Sequence, residues 1–193
     1  ITGLLQFFNQ ISIFDLITFS ILGIIFSTAG LVSSFFHLAN KKNAIKSMSQ
    51  WQTSWLSREA ISSIFCLLLV LGNIGWVFLQ NMYINELGMA MFFLALFTIF
   101  TTSMIYAQLK TVPSWTNIFT PAIFIFAALS GGAILLTIYA SLVFLLVFGT
   151  LQILFWYIAD QDFKDKETSV GTALGFDANE EIRSFDAAHT NRN

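Results

Sequence analysis

The sequence predicts an all-α membrane protein, a polytopic transmembrane helix bundle with about five spans in this chain. Of its 193 residues, 56% are hydrophobic and only 10% are charged, whereas soluble domains carry about 25% charged residues. The chain also holds 22 Phe, and one globular core of this size could not hide so much apolar surface. The net charge of −2 gives no sign of nucleic-acid binding, and the single Cys66 excludes a disulfide framework or a cysteine-based zinc site within the chain.

The first half of the chain contains three apolar runs of spanning length. They cover about residues 16–38, 61–83 and 87–109, and a span needs about 20 apolar residues. Ser12 and Asp15 precede the first run, where short polar side chains satisfy the unpaired N–H groups of a helix start. Three spanning helices are therefore predicted here.

Polar residues interrupt this apolar sequence at two places. Residues 1–14 are apolar but interrupted by Gln6, Asn9 and Gln10, and this segment could be the end of a further spanning helix or an interfacial segment. Asn73 lies inside the second run beside Gly72 and Gly75, small residues that favour close helix contact.

The second half of the chain has a long uncharged stretch, residues 111–159. As one helix it would measure roughly 74 Å, against a hydrocarbon core of about 30 Å. It must therefore fold back, and the turn is predicted at residues 137–141. This gives a fourth span that starts near residue 118, with Gly131 and Gly132 as a packing notch, and a fifth that ends near residue 158.

The composition divides the chain into two parts, a transmembrane helical bundle (1–159) and a polar tail or inter-helix loop (160–193). The second part holds eight Asp/Glu and four Lys/Arg. It is predicted to be an exposed loop or a partner-binding segment.

Six residues that could carry chemistry are predicted to lie at one edge of the membrane. They are His37, Ser57, Arg58, Glu59, Tyr106 and Trp115. An imidazole titrates near neutral pH, and a half-buried carboxylate can be pushed towards it. This combination favours proton-coupled chemistry such as quinol oxidation, which releases two electrons and two protons, with aromatic side chains as walls for the ring.

Structural alternatives exist for these residues. A histidine at a helix end can simply be interfacial, Arg58 and Glu59 can mark the membrane boundary, and the aromatic residues can form an interfacial belt. No second buried histidine is available to pair with His37, so haem ligation is not predicted within the chain, nor is a metal site. A solute transporter is disfavoured, because its polar residues would lie near the middle of the membrane.

By alternation of the spans, the loops near residues 39–60 and 110–117 and the tail share one side of the membrane, here called the polar face. This face carries the Lys and Arg residues that flank the spans, and the opposite face carries none. The positive-inside rule would make the polar face cytoplasmic.

Several motifs resemble the membrane anchor subunit of dimethyl sulfoxide reductase. They are His37-Leu38, residues 51–59 (WQTSWLSRE), residues 110–115 (KTVPSW), Thr120-Pro121, Gly131-Gly132, and in the tail Gly175, Glu181-Ile182-Arg183 and Ala188-His189-Thr190. The match extends over nearly the whole chain and includes the spacing from His37 to Glu59.

The resemblance implies a multi-pass subunit of the bacterial cytoplasmic (inner) membrane that acts in anaerobic respiration. Such subunits tether an iron–sulfur subunit and a molybdopterin catalytic subunit, oxidise menaquinol and carry no haem. They have about eight spans, so this chain would be a fragment. The polar face would then meet the redox partner, usually in the periplasm, and Lys41, Lys42 and Lys46 would dock it.

The resemblance also implies a quinol site. The family's quinol-site histidine corresponds to His37 and its loop-end glutamate to Glu59. The sequence departs from the family at Asn43, which stands where an arginine is usual; the nearby lysines lack the planar, bidentate geometry of that group. The terminal acceptor could also be polysulfide, an N-oxide or an oxyanion. Because the acceptor binds the catalytic subunit, the sequence of an anchor subunit does not distinguish between these compounds.

Overall fold

The computed structural model describes residues 1–36, 49–109, 112, 114–134 and 138–165, without the side chains of 35, 138–141 and 162–165. These residues form six helices and contain no strand. The helices are α1 (Thr2–Phe7), α2 (Ile13–Phe36), α3 (Trp55–Gln80), α4 (Asn85–Ala107), α5 (Phe119–Ile134) and α6 (Ile138–Asp165).

The predicted fold class is confirmed. Four helices of the described part are long and apolar enough to cross a membrane: Ile13–Ser34, Trp55–Gln80, Asn85–Ala107 and Leu142–Gln161. The remaining long apolar helix, α5, has 16 residues and is therefore about 24 Å long, somewhat short of a full hydrocarbon core. The protein is thus an all-α, multi-pass membrane protein with four to five spans in this chain.

Successive spans pack against each other. The closest pairings are α3 with α4, α4 with α5 and α5 with α6, while α2 packs against α3. Ser34 near the end of α2 and Glu59 near the start of α3 line one cavity, and Glu59 contacts Thr102 near the end of α4. The end of α2, the start of α3 and the end of α4 therefore lie at one edge of the bundle.

Two helix starts show how local polar groups define the element. Ser12 Oγ accepts from the N–H of Asp15 at 3.1 Å, as the sequence predicts. Ser54 caps α3, and its Oγ accepts from the N–H of Ser57 at 3.4 Å. Because of this cap, α3 begins at Trp55 rather than near residue 61, the predicted start.

The short helix α1 packs inside the bundle, mainly against α4. Gly3 and Gly88 meet backbone to backbone, and a Cβ on either glycine would overlap the carbonyl oxygen of the other. Gln6 and Asn73, both fully buried, exchange two side-chain hydrogen bonds of 3.0 and 3.3 Å. Segment 1–14 is therefore not an interfacial segment lying on the membrane surface.

The predicted roles of the glycines are only partly correct. Gly72 and Gly75 face open space, so the proposed close helix contact at these glycines is wrong. In α5, which continues through both paired glycines, a Cβ on Gly132 would come within 3.3 Å of the Ile1 side chain, while Gly131 has no such neighbour. The packing notch is confirmed for Gly132 alone.

The connection between the last two helices differs from the predicted one. Residues 138–141, placed in the predicted turn, form the first turn of α6. At its other end α6 continues past residue 159 to Asp165, and the rest of the predicted polar tail lies outside the described residues.

Candidate functional site

Glu59 lines a cavity of about 360 Å³ between α2, α3 and α4, here called the glutamate cavity. Its apolar walls include Leu31, Leu67 and Ile99. Its other polar side chains are four hydroxyls, those of Ser27, Ser34, Ser63 and Thr98. A carboxylate surrounded by hydroxyls and aliphatic walls is a suitable environment for a ring that gives up hydroxyl protons.

The Glu59 side chain is half-buried and held in place by α4. Thr102 Oγ1 donates to Glu59 Oε1 at 2.7 Å, a contact between residues 43 positions apart in the sequence. A hydrogen bond to an ionised carboxylate is worth about 1.5–3 kcal/mol. It orients one oxygen of Glu59 and leaves the other available to a ligand.

Arg58 points to a different face of α3. Successive residues of a helix are rotated by about 100° about its axis. Glu59 therefore points into the glutamate cavity, while Arg58 points to another side of α3. The Arg58 guanidinium donates to the carbonyl oxygens of Trp51 and Gln52 at 2.8 and 2.6 Å. Its centre also lies 4.2 Å from the centroid of the Trp55 ring. Arg58 therefore holds the end of the preceding loop against α3.

Ser57 is a buried residue of the first turn of α3, with only 1% of its surface exposed. Its backbone N–H binds the capping side chain of Ser54. It does not line the glutamate cavity.

Tyr106 and Trp115 meet in a second, aromatic cavity of about 320 Å³. Their ring centroids are 5.3 Å apart in an edge-to-face arrangement, and Phe124 lies 5.3 Å from Tyr106 on another side. Tyr106 follows Thr102 by one helical turn on the same face of α4, so this aromatic cavity lies next to the Glu59 contact and nearer to the polar face.

Apart from Ser57 in the first turn of α3, the residues predicted from the sequence thus fall into four groups. Glu59 lines the glutamate cavity, Tyr106 and Trp115 line the aromatic cavity, and Arg58 lies on another face of α3. A fourth group, His37, Lys41, Lys42 and Lys46, lies outside the described residues.

The structure adds residues that sequence reasoning missed. Thr98 and Thr102 stand one turn apart on α4, the first in the cavity wall and the second on Glu59. The four-residue spacing of Thr98 and Thr102 indicates that they share one face of a helix. The sequence does not show that this face contacts Glu59 of α3. Within the described part of the chain, no group of three or more His, Cys, Asp or Glu side chains could hold a metal ion.

Comparison with known proteins agrees with this architecture. The family model described as "DMSO reductase anchor subunit (DmsC)" matches residues 9–191. A sulfite dehydrogenase subunit of Allochromatium vinosum is 30% identical to this chain over 138 residues, which cover 63% of the chain and 42% of that relative. The chain therefore spans less than half the length of this curated relative. No solved structure matches the chain.

Proposed function

This chain belongs to the DMSO reductase anchor subunit family, and we propose that it oxidises menaquinol in the membrane on behalf of a molybdoenzyme complex. Electrons pass from the quinol to an iron–sulfur subunit and then to a molybdopterin catalytic subunit. The observation that carries this proposal is the glutamate cavity, a partly open space between three spanning helices that one carboxylate lines.

The cavity suits a quinol headgroup in size and chemistry. Small-molecule sites have volumes of about 300–1,000 Å³ and mainly apolar walls with few polar groups, and this cavity measures about 360 Å³. The serine and threonine hydroxyls can hydrogen-bond the quinol oxygens, while the aliphatic residues contact the ring. The isoprenoid tail would leave between the helices towards lipid.

His37 is proposed as the second proton-transfer group. It follows Ser34, a residue of the cavity wall, by three positions in the sequence. Three residues of chain span at most about 11 Å, and for this reason we propose that the imidazole serves the glutamate cavity. An imidazole that titrates near neutral pH can accept a proton from one quinol hydroxyl and release it to water.

The reaction balances with these two groups. The quinol loses two hydroxyl protons and two electrons and becomes the quinone. Glu59 takes up one proton and His37 the other, and both electrons leave through the docked iron–sulfur subunit. Tyr106 and Trp115 form the aromatic edge past which the ring or its tail enters, whereas Arg58 and Ser57 support the start of α3.

The polar face is proposed as the docking surface for the iron–sulfur subunit. In the sequence, Lys41, Lys42 and Lys46 lie between the end of α2 and the start of α3, and Ser34 and Glu59 near those two ends line the glutamate cavity. A partner bound at this end of the two helices would bring its cluster close to the quinol. Basic residues steer an acidic partner and set its orientation. We place the complex in the bacterial inner membrane.

The His37→Leu variant of the assembled complex tests this function. Leucine is similar in size to histidine but cannot accept a proton, so we expect normal assembly and loss of quinol-dependent reduction. A small reducing dye that donates directly to the catalytic subunit should still support turnover. Unchanged quinol-dependent turnover in the variant would refute the assignment.

A second candidate keeps the site and reverses the electron flow. It is favoured by the similarity to a protein named as a sulfite dehydrogenase subunit. In that case the catalytic partner oxidises its substrate and the anchor reduces a quinone, with Glu59 and His37 donating the protons. Reduction of added menaquinone by the complex with sulfite as electron donor would identify this direction. If the terminal acceptor is instead polysulfide, an N-oxide or an oxyanion, electrons flow from the quinol to the catalytic subunit, as in the first candidate.

A further inference from the structure

A second large groove lies on the outer side of α3 and α4, away from the glutamate cavity. Its volume is about 640 Å³. It is here called the arginine groove and is lined by Trp51, Trp55, Arg58, Phe65, Leu94 and Phe97, among others. The proposed quinol reaction leaves this groove unused.

The groove runs from the polar face into the membrane. At its outer end Trp55 packs edge to face on Phe100, with ring centroids 5.9 Å apart. At its inner end lie Phe65 and Leu94. From Arg58 to Phe65 the helix advances by about 10 Å. Several wall residues face outwards, since Phe65 is 62% and Phe97 50% exposed.

Arg58 provides one positive charge at the outer end of the groove. Its guanidinium is fixed by two backbone carbonyl oxygens and by the face of Trp55. These contacts use two of its five N–H groups, and within the described part of the chain no carboxylate pairs with this guanidinium. The neighbouring Glu59 is turned towards Thr102 instead.

A fixed cation above an apolar groove has the chemistry of a lipid site. Phosphate oxygens accept hydrogen bonds from a guanidinium in a planar, often bidentate arrangement. Trp55 begins α3 and Trp51 precedes it, and tryptophan is enriched at the ends of membrane spans, near the headgroups. Basic pockets between transmembrane helices bind anionic headgroups.

We propose that an anionic phospholipid occupies the arginine groove, with its phosphate on Arg58 and one acyl chain along α3 and α4. The lipid would brace the loop end at Trp51 and Gln52, whose carbonyl oxygens already bind the same guanidinium. This site is independent of the quinol reaction in the glutamate cavity.

Native mass spectrometry of the complex, extracted in detergent and supplied with phosphatidylglycerol or phosphatidylcholine, tests the proposal. The wild-type complex should retain phosphatidylglycerol preferentially. Arg58→Gln should weaken phosphatidylglycerol binding by about fivefold, the ratio that corresponds to about 1 kcal/mol for one basic residue at an anionic surface. Phosphatidylcholine binding should change little.

Leu94→Trp provides a second variant, because the larger side chain fills the groove. Its control is Phe93→Trp at the neighbouring position, which is 60% exposed and does not line the groove. Loss of bound lipid in Leu94→Trp, with lipid retained in Phe93→Trp, supports the proposal.

Three results would overturn the lipid assignment. The first is equal retention of both lipids by the wild-type complex, a test that needs no variant. The second is loss of bound quinone, rather than lipid, in the Arg58→Gln complex. The third is a photoreactive residue at position 94 that captures a protein helix instead of a lipid.

Discussion

Replacing Glu59 by glutamine separates a proton-transfer role from a structural one. Glutamine retains an oxygen that can accept from Thr102 Oγ1, now 2.7 Å from the carboxylate, but it cannot take up a proton. A hydrogen bond to a neutral acceptor is worth about 1 kcal/mol less than one to a charged acceptor, so the variant should fold and assemble. Removal of a general base costs about 10²–10⁴-fold in rate.

We therefore expect kcat for quinol oxidation to fall by about 10²–10⁴-fold, while the KM for quinol changes by less than about threefold, or about 0.7 kcal/mol. The assay is steady-state turnover of the purified complex at varied quinol concentration. Glu86→Gln is the matched control, because Glu86 is exposed in the first turn of α4 at the opposite end of the bundle. A loss that lies wholly in KM would refute the proton-transfer role.

Two further predictions concern the packing of α1. Asn73→Leu and Gln6→Leu should each destabilise the protein by about 1–2 kcal/mol, because each removes both hydrogen bonds between the two buried amides. In detergent unfolding experiments, the double variant should lose less stability than the two single variants lose together. Additive losses would show that the two side chains are not coupled. Gly88→Ala should cost about 1–3 kcal/mol through overlap with α1. Gly75→Ala, in open space, should be neutral or stabilising by up to about 1 kcal/mol.

The number and type of the spans could be predicted from apolar run lengths alone, but one helix start could not. The second span is predicted to start near residue 61, with Arg58 and Glu59 at its edge rather than inside it. In the structure both belong to α3. Their partners are the carbonyl oxygens of the preceding loop and a threonine of α4, and local sequence does not show that such partners exist.

The glycines illustrate a second limit of sequence reasoning. Gly72 and Gly75 flank a buried asparagine, yet both face open space, whereas Gly88 contacts another backbone directly. The difference depends on the rotation of each helix about its axis. That rotation is determined by packing against neighbours, and the apolar residues surround these helices too evenly to reveal it.

The residues of the candidate site are easier to predict from the sequence than their arrangement. Glu59 stands out in the sequence as the acid group, and the structure places it in a cavity. The sequence assigns its neighbour Arg58 to the same site, but the helical rotation of about 100° per residue directs it to the arginine groove. That division would follow from the sequence only if α3 were known to begin before both residues.

Photolabelling of the complex with a photoreactive menaquinone analogue tests the quinol site most directly. We expect labelled peptides from the cavity walls, at residues 27–34 of α2 and 59–67 of α3, and we expect this labelling to disappear when unlabelled menaquinol competes. Labelling confined to the arginine groove, or to peptides that contain none of the glutamate cavity residues, would contradict it.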